Sequence, residues 1–458
     1  MENAKHFTLQ VAIIGSGPSG FFAAEALLNS GISSEITILE RLPCPYGLIR
    51  YGVAPDHQKL KSVTQTLDII AEHPSVTFLG NVEVGKDIQI NELMELYHIV
   101  IFTTGMPKSS LLEIEGESLI GVHPSSTFIG WYNGHPDYQT QPFDFSNDSA
   151  VIIGHGNVAI DICRVLTKPI DELRKSDIPE TALELLSKSK INNVHLVGRR
   201  GPVQAKFTTK ELHELGKLEN CNVSVNPKHL NLGEACLQEL NEISNQSARK
   251  NHGIFQTYSN NFTAVQNADK KQIAIDFMLN PKVFKGDRKL QSVLFEENQL
   301  EGPAFKQFST PCNSLLEIPC SLAFTSVGFR GTQFAGLHTN PNKGILSNLN
   351  SRLINEHGDI VYGMYAAGWV KRGPQGVIGT NRECAQDTVD RILEDLPIFL
   401  DHSASGKNNL MDMLKLRNIH FVTFNDWKII DAIEVENGQQ LGKPREKFTS
   451  VSSMLACI

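Results

Sequence analysis

The 458 residues carry a net charge of −8, with 41% hydrophobic and 20% charged residues, the balance of a globular protein long enough for two cores. That acidic balance speaks against a general polyanion partner such as nucleic acid, and no apolar run approaches the roughly 18 residues of a membrane span. The first strand begins almost at once after Met1-Glu2-Asn3-Ala4-Lys5, which leaves no room for a signal or transit peptide, so a cytoplasmic protein is expected.

Taken in chain order, the first element is the apolar strand Val11-Ala12-Ile13-Ile14, followed by Gly15-Ser16-Gly17-Pro18-Ser19-Gly20 and a helix from Phe21 to Leu28. Glycines in such a turn let the backbone approach a pyrophosphate, whose charge then rests on free N–H groups at the positive end of the helix dipole. The next strand, Ile36 to Leu39, ends in Glu40, an acid placed to bind a ribose diol. The stretch Leu42 to His57 is dense in proline and glycine, reads as loop rather than helix, and can wrap a ring. A buried strand, His98 to Phe102, then ends in Thr103-Thr104-Gly105.

A second unit of the same kind follows. Ala150 to Ile153 leads into Gly154-His155-Gly156-Asn157-Val158-Ala159, and the strand Val194 to Val197 ends in Gly198-Arg199-Arg200. The arginines lie farther from their glycine loop than the usual roughly 20 residues; the helical stretch Lys168 to Lys190, read as an insertion, accounts for the length. Each charge-assisted hydrogen bond to a phosphate contributes roughly 1.5–3 kcal/mol, so one good contact amounts to about tenfold to a hundredfold in affinity and selects NADP over NAD. Glu40 in the first unit argues for an unphosphorylated ribose. Together they point to FAD in the first unit and NADP(H) in the second.

A further strand, Ser321 to Thr325, ends in Ser326-Val327-Gly328-Phe329, and with Thr103-Thr104-Gly105 it marks where the chain leaves one domain for the other. The expected fold is α/β, with two Rossmann-like dinucleotide-binding domains: an NADP-binding domain over 108–329 inserted into a discontinuous FAD-binding domain over 1–107 and 330–458. The polar patch Ser403 to Asn409 reads as a linker before a C-terminal tail. None of the eight cysteines forms a CxxC, so neither a redox disulfide of the known flavin types nor a cluster of the chain's own is expected.

Nearly end to end, the chain resembles the adrenodoxin reductase type of ferredoxin–NADP reductase. The matching stretches are Gly15 to Phe22, Pro45 to His57, Gly80 to Gly85, Gly130 to Asn133, Gly156 to Ala159, Val197 to Val203, Gly368 to Pro374 and Gly442 to Arg445, and Gly376-Val377-Ile378-Gly379-Thr380-Asn381 looks more like the bacterial members. The resemblance implies a FAD site using Gly15, Gly17, Pro18, Ser19, Gly20, Glu40, Arg41, Tyr46, Gly47, Leu48, Gly105, Gly368, Trp369, Gly376, Val377 and Ile378. It implies an NADP site using Gly154, Gly156, Asn157, Val158, Arg199, Arg200 and Glu211, with Asp161 as a further match. The isoalloxazine is implied near Trp369, and His57 beside the nicotinamide together with Glu214, the two residues expected to serve catalysis.

Hydride passing from nicotinamide to flavin needs little acid–base work, so His57 and Glu214 are expected to position and tune rather than abstract a proton. The implied acceptor is a small ferredoxin-type iron–sulfur protein. Departures from the family pattern fall at the partner surface: His213 stands where an Arg is usual, and Glu234, Glu239 and Glu242 precede Arg249-Lys250. Lys206 and Lys210 remain to form a basic rim beside the arginine pair. His155 replaces the amide or small side chain common in the second loop and is expected to alter cofactor affinity without abolishing it. Two alternatives stay open: an NADPH diaphorase or quinone-reducing flavoprotein, and a non-catalytic redox-sensing nucleotide-binding protein.

Overall fold

Strand β1 (Leu9–Ile14) is apolar at five of its six positions, and the same number are buried, the pattern of a strand covered on both faces rather than one. In the computed structural model, which describes residues 7–262 and 269–458, β1 is central to an eight-stranded sheet. It pairs in parallel with β2 (Ser34–Leu39), Ile14 opposite Leu39, and on its other side with β4 (Ile99–Phe102), Ile14 opposite Phe102. Strand β3 (Val76–Gly80) extends the sheet beyond β2, and Ile360–Ala366 extends it in parallel beyond β4. Strand order therefore reverses between β1 and β4, which opens a crevice at their carboxyl ends, the usual ligand position in an open α/β sheet.

The chain divides into two units, one comprising the stretch up to Lys108 together with Gly328–Ile458, the other Ser109–Val327. In the first, helix α1 (Pro18–Leu28) follows the glycine loop, with proline at its first position, where the missing N–H leaves no bond unmade. The loop after β2 is not wholly irregular: it contains the single helical turns Leu48–Tyr51 and Gln58–Lys61.

The C-terminal region is built into this unit. The expected linker at Ser403 to Asn409 runs into the helix Gly406–Leu416, which buries Leu410 and Leu414, because two leucines one turn apart outweigh its polar start. Val422 then pairs antiparallel with Gly80, and the helix Phe424–Gln440 starts at a Thr423/Asp426 capping box and buries Trp427 in the main core.

The second unit holds a six-stranded parallel sheet in which Ser149–Ile153 lies between Asn193–Val197 and Leu322–Thr325. The order reverses there too, so the glycine loop at Gly154 again opens at a switch point. Helices Ile170–Leu173 and Glu180–Ser187 occupy the long connection to the arginine strand and bury Leu173, Leu183 and Leu186 against the sheet core. An antiparallel three-stranded sheet, Leu279–Gly286, Leu290–Glu301 and Phe308–Pro319, covers the other face through Phe284, Val293 and Phe295. Among the described residues no helix is long and apolar enough to cross a membrane.

Candidate dinucleotide sites

The glycines of the first loop divide into those the protein requires and one it leaves open. A Cβ on Gly15, at φ +107°, would lie 2.9 Å from the Thr103 carbonyl, and one on Gly20 would lie 2.1 Å from the Gly15 carbonyl, so both are fixed by close backbone packing at the switch point. A Cβ on Gly17, the residue capping α1, would meet nothing within 4 Å. Open space at the N-terminus of a helix, reached by a bare backbone, fits a pyrophosphate. Thr103 donates its hydroxyl to the carbonyls of Ile14 and Gly15 and stiffens the loop from the β4 side.

Glu40 closes the loop from β2. Its Oε2 accepts from the Ser16 amide at 3.1 Å and the Ser16 hydroxyl at 2.8 Å, and its Oε1 accepts from the Leu42 amide at 3.2 Å. A carboxylate offers about four acceptor positions, so capacity for a ribose hydroxyl remains after Glu40 has set the loop. Arg41 follows it at the exposed strand end.

The proline-glycine loop is pressed against this turn. Tyr46 donates its amide to the Ser16 carbonyl at 2.9 Å, and a Cβ on Gly47 would lie 3.1 Å from Gly17 Cα. Tyr46 and Gly47 both take positive φ, 83° and 49°. For a bulky residue such as Tyr46 that conformation costs on the order of 1–3 kcal/mol and persists only where neighbours over-determine it. Its phenol donates to Asp68, accepts from Trp427 Nε1 at 3.4 Å, and its ring packs near Phe21 and Trp427. The loop presents Leu48 to solvent, 46% exposed, while Ile49, Arg50 and Tyr51 are buried. His57 is half-buried and caps the turn Gln58–Lys61.

Trp369 stands at the start of a short helix after Gly368, whose φ is +75° and whose added Cβ would collide with Ser19 Oγ at 2.0 Å. The Gly368–Trp369 turn therefore sits directly on the first turn of α1. Trp369 is half-buried, with its ring 6.1 Å from that of Phe329. Ser19 also donates to Asn381 Oδ1 at 3.1 Å, which accepts from Arg372 at 2.9 Å, while Asn381 donates to the Ile378 carbonyl. Gly376 and Val377 are exposed and Ile378 half-buried. Gly105, at φ +63°, has open space at its Cβ position. The first unit thus brings Gly15–Gly20, Glu40, Tyr46–Leu48 and Gly368–Trp369 to one end of its sheet. Arg372, Asn381 and Thr103, which lie in quoted stretches of the sequence but were not read as site residues, join them.

In the second unit, a Cβ on Gly154, at φ +139°, would strike the Ser326 carbonyl at 2.3 Å, whereas one on Gly156 would meet nothing within 4 Å. This repeats the required-then-open pattern of the first loop. Asn157 begins the helix Asn157–Thr167, and its side-chain carbonyl accepts from the Thr208 amide at 2.8 Å, so its amide group serves the loop fold; Val158 follows, half-buried. The His155 ring turns inward: it covers Gly198, packs near Phe207 and Phe277, and donates from Nε2 to the Leu196 carbonyl at 3.0 Å. Burial lowers its pKa to about 4, so it is neutral at physiological pH.

Val197 lies opposite Ile153, which puts Arg199 and Arg200 beside the glycine loop at the sheet end. Arg199 is exposed and Arg200 half-buried, and neither guanidinium is in an ion pair among the described residues. Glu211 is buried with its carboxylate 3.9 Å from Arg164, which is bonded to Asp161 at 2.9 Å. Glu214, half-buried one turn on, lies 3.7 Å from Lys210. Of the three acids read as a partner surface, Glu239 is buried and accepts from Gln204 and the Phe305 amide, whereas Glu234 and Glu242 are exposed. The helix Glu234–Asn241 turns Cys236, Glu239 and Leu240 to the protein, a face invisible in a count of charges.

Two sheets, one mixed with a parallel centre and one parallel throughout, each with a glycine loop at its switch point and an open position at the helix start, define a two-domain dinucleotide-binding protein. No family model matches the chain. It is 36% identical to the mitochondrial NADPH:adrenodoxin oxidoreductase of Arabidopsis thaliana, over 99% of this chain and 96% of that one. It is also 36% identical to the NADPH-ferredoxin reductase FprA of Mycobacterium tuberculosis, over 97% of this chain and 98% of that one. The solved structure of Mycobacterium tuberculosis FprA in complex with NADPH matches with a TM-score of 0.91 at 35% identity, covering 98% of this chain and 99% of that one. The chain belongs to the family of NADPH-dependent adrenodoxin and ferredoxin reductases.

Proposed function

We propose that the protein is an FAD-dependent oxidoreductase that takes hydride from NADPH and delivers single electrons to a small ferredoxin-type iron–sulfur protein. One observation carries this reading: two open glycine loops on one chain are flanked by opposite chemistry, Glu40 at the first and Arg199-Arg200 at the second. The domain that includes 1–107 and 330–458 holds FAD, and 108–329 holds NADP(H). The relatives named above are NADPH-dependent reductases of adrenodoxin or ferredoxin, which supports both the donor and the acceptor.

In the first domain the backbone at Gly15, Gly17, Ser19 and Gly20, with Pro18 opening the helix, receives the pyrophosphate. Glu40 receives the ribose diol beside Arg41. Tyr46, Gly47, Leu48, Gly105, Gly368, Trp369, Gly376, Val377 and Ile378 enclose the ring, with Trp369 supplying an aromatic face. In the second, Gly154, Gly156, Asn157 and Val158 receive the dinucleotide phosphates, Arg199 and Arg200 the 2′-phosphate, and Glu211 holds Arg164 beside the loop. Flavin, when bound, supplies the conversion of an electron pair into single electrons. His57 and Glu214 orient the reacting groups and exclude water rather than transfer a proton.

The absence of a CxxC among the eight cysteines supports a cytoplasmic protein and a route that bypasses thiols. Turnover with reduced nicotinamide and either a ferredoxin or a quinone tests the acceptor. Faster reduction of ferredoxin is expected, and a clear preference for quinone would favour a diaphorase.

A further inference from the structure

Three features of the first unit converge on the loop that carries Leu48. Arg50, two residues on, is buried, its guanidinium paired with the fully buried Glu434 and lying 5.1 and 5.0 Å from the rings of Tyr51 and Trp427. Glu434 Oε1 also accepts from the Phe448 amide at 2.9 Å, and its Oε2 lies 3.3 Å from Arg445, which in turn pairs with Asp431. Lys447 donates to the Arg50 carbonyl at 3.3 Å. The helix and the segment after it are in close backbone contact: a Cβ on Gly438 would fall 2.2 Å from Arg445 Cα. Upstream, Trp427 and Asp68 hold the phenol of Tyr46, and Lys428 lies 3.4 Å from Asp68.

The backbone between these two anchors is the left-handed pair Tyr46-Gly47 and the turn Leu48–Tyr51, a conformation that the local sequence does not favour by itself. A buried ion pair is a poor source of net stability, since desolvation opposes it, but it is directional, and breaking it by removing one partner leaves an uncompensated charge. Besides its share of the core, the C-terminal segment therefore bears on the geometry of this loop.

We propose that Glu434 is a positioning residue for the flavin ring: acting through Arg50, it makes the C-terminal helix a clamp that fixes where the Tyr46–Leu48 loop meets the ring. The inference rests on the reading of the first domain as the FAD site. A loop shifted by about 1 Å misplaces the ring, a displacement that can slow a reaction by about a hundredfold.

The test uses full-length flavinated enzyme carrying Glu434→Gln or Arg50→Lys, the latter keeping the charge while losing the planar fork. Flavin reduction by NADPH, measured by stopped flow per bound flavin, is expected to slow at least about tenfold in Glu434→Gln and about threefold to fivefold in Arg50→Lys. The visible flavin band is expected to shift, and NADP+ affinity to stay within about twofold. Rates per bound flavin within twofold of the parent in whichever variants fold, whatever their melting temperatures, would overturn the inference and leave Glu434 a structural residue. A parent enzyme that holds no flavin, or whose flavin NADPH does not reduce, would instead contradict the reading of the site.

Discussion

At the scale of single residues, cofactor choice is proposed to rest on Arg199 and Arg200, whose guanidinium groups stand beside the second glycine loop outside any ion pair among the described residues. Replacing both with Ala should bring kcat/KM for NADPH and NADH to within about tenfold of each other by removing contacts of roughly 1.5–3 kcal/mol each; an unchanged preference for NADPH would refute their role. His57, half-buried at the end of the proline-glycine loop, is expected to affect orientation more than binding. His57→Ala should slow hydride transfer by about tenfold to a hundredfold while NADP+ affinity changes by less than about threefold, and the reverse pattern would make His57 a binding residue. His123 illustrates a different use of histidine. Buried among Phe143 and Phe324 with no partner for Nε2 among the described residues, it has its pKa lowered by desolvation to about 4. Because the folded value lies below the unfolded one of about 6.5, the contribution is fully present above pH 6.5 and is lost as pH falls toward 4. Denaturant unfolding of His123→Phe should show an acid-side loss over that window smaller than the parent's by up to about 3 kcal/mol. Equal losses in the two proteins would show that His123 titrates normally.

At the scale of elements, each glycine loop separates folding from binding. A Cβ on Gly20 would meet the Gly15 carbonyl and one on Gly17 open space, so Gly20→Ala should destabilise the apoprotein by several °C in Tm, whereas Gly17→Ala should leave it within about 2 °C and lower FAD retention at least tenfold. Equal losses of Tm in the two variants would mean that Gly17 serves the fold and not a ligand. These loops were legible in the sequence because strand, loop and helix are contiguous, and their chemistry depends on backbone that only glycine permits. The contacts that complete the first site were not legible, because their partners are remote in the chain. Ser19 meets Asn381 at a separation of 362 residues and Arg50 meets Glu434 at 384. No local period or motif marks such pairs. The helix Gly406–Leu416 escaped for another reason: its first turn, Gly-Lys-Asn-Asn, has the composition of a linker, and only the later leucines disclose a buried face. Glu239 similarly counted as surface charge until the helix carrying it turned out to face inward.

At the scale of the whole molecule, the order of the chain is the mechanism's plan. A sheet that ends in Glu40 is interrupted by a complete second sheet that ends in Arg199-Arg200, and the first then resumes to supply Trp369, the Asn381 bridge and the C-terminal clamp. Charge bears on the proposed acceptor at the same scale: although the net charge is −8, exposed Lys206 and Lys210 lie close in sequence to the arginine pair, and an acidic iron–sulfur partner would be steered by such local charge rather than by the total. The most direct measurement is anaerobic stopped-flow mixing of the purified yellow protein with NADPH, followed by oxidised ferredoxin. Bleaching of the flavin band, much faster with NADPH than with NADH, and its return as ferredoxin is reduced one electron at a time, is the result expected. A colourless protein that cannot be loaded with FAD, or a bound flavin that NADPH leaves oxidised, would contradict the account at its centre.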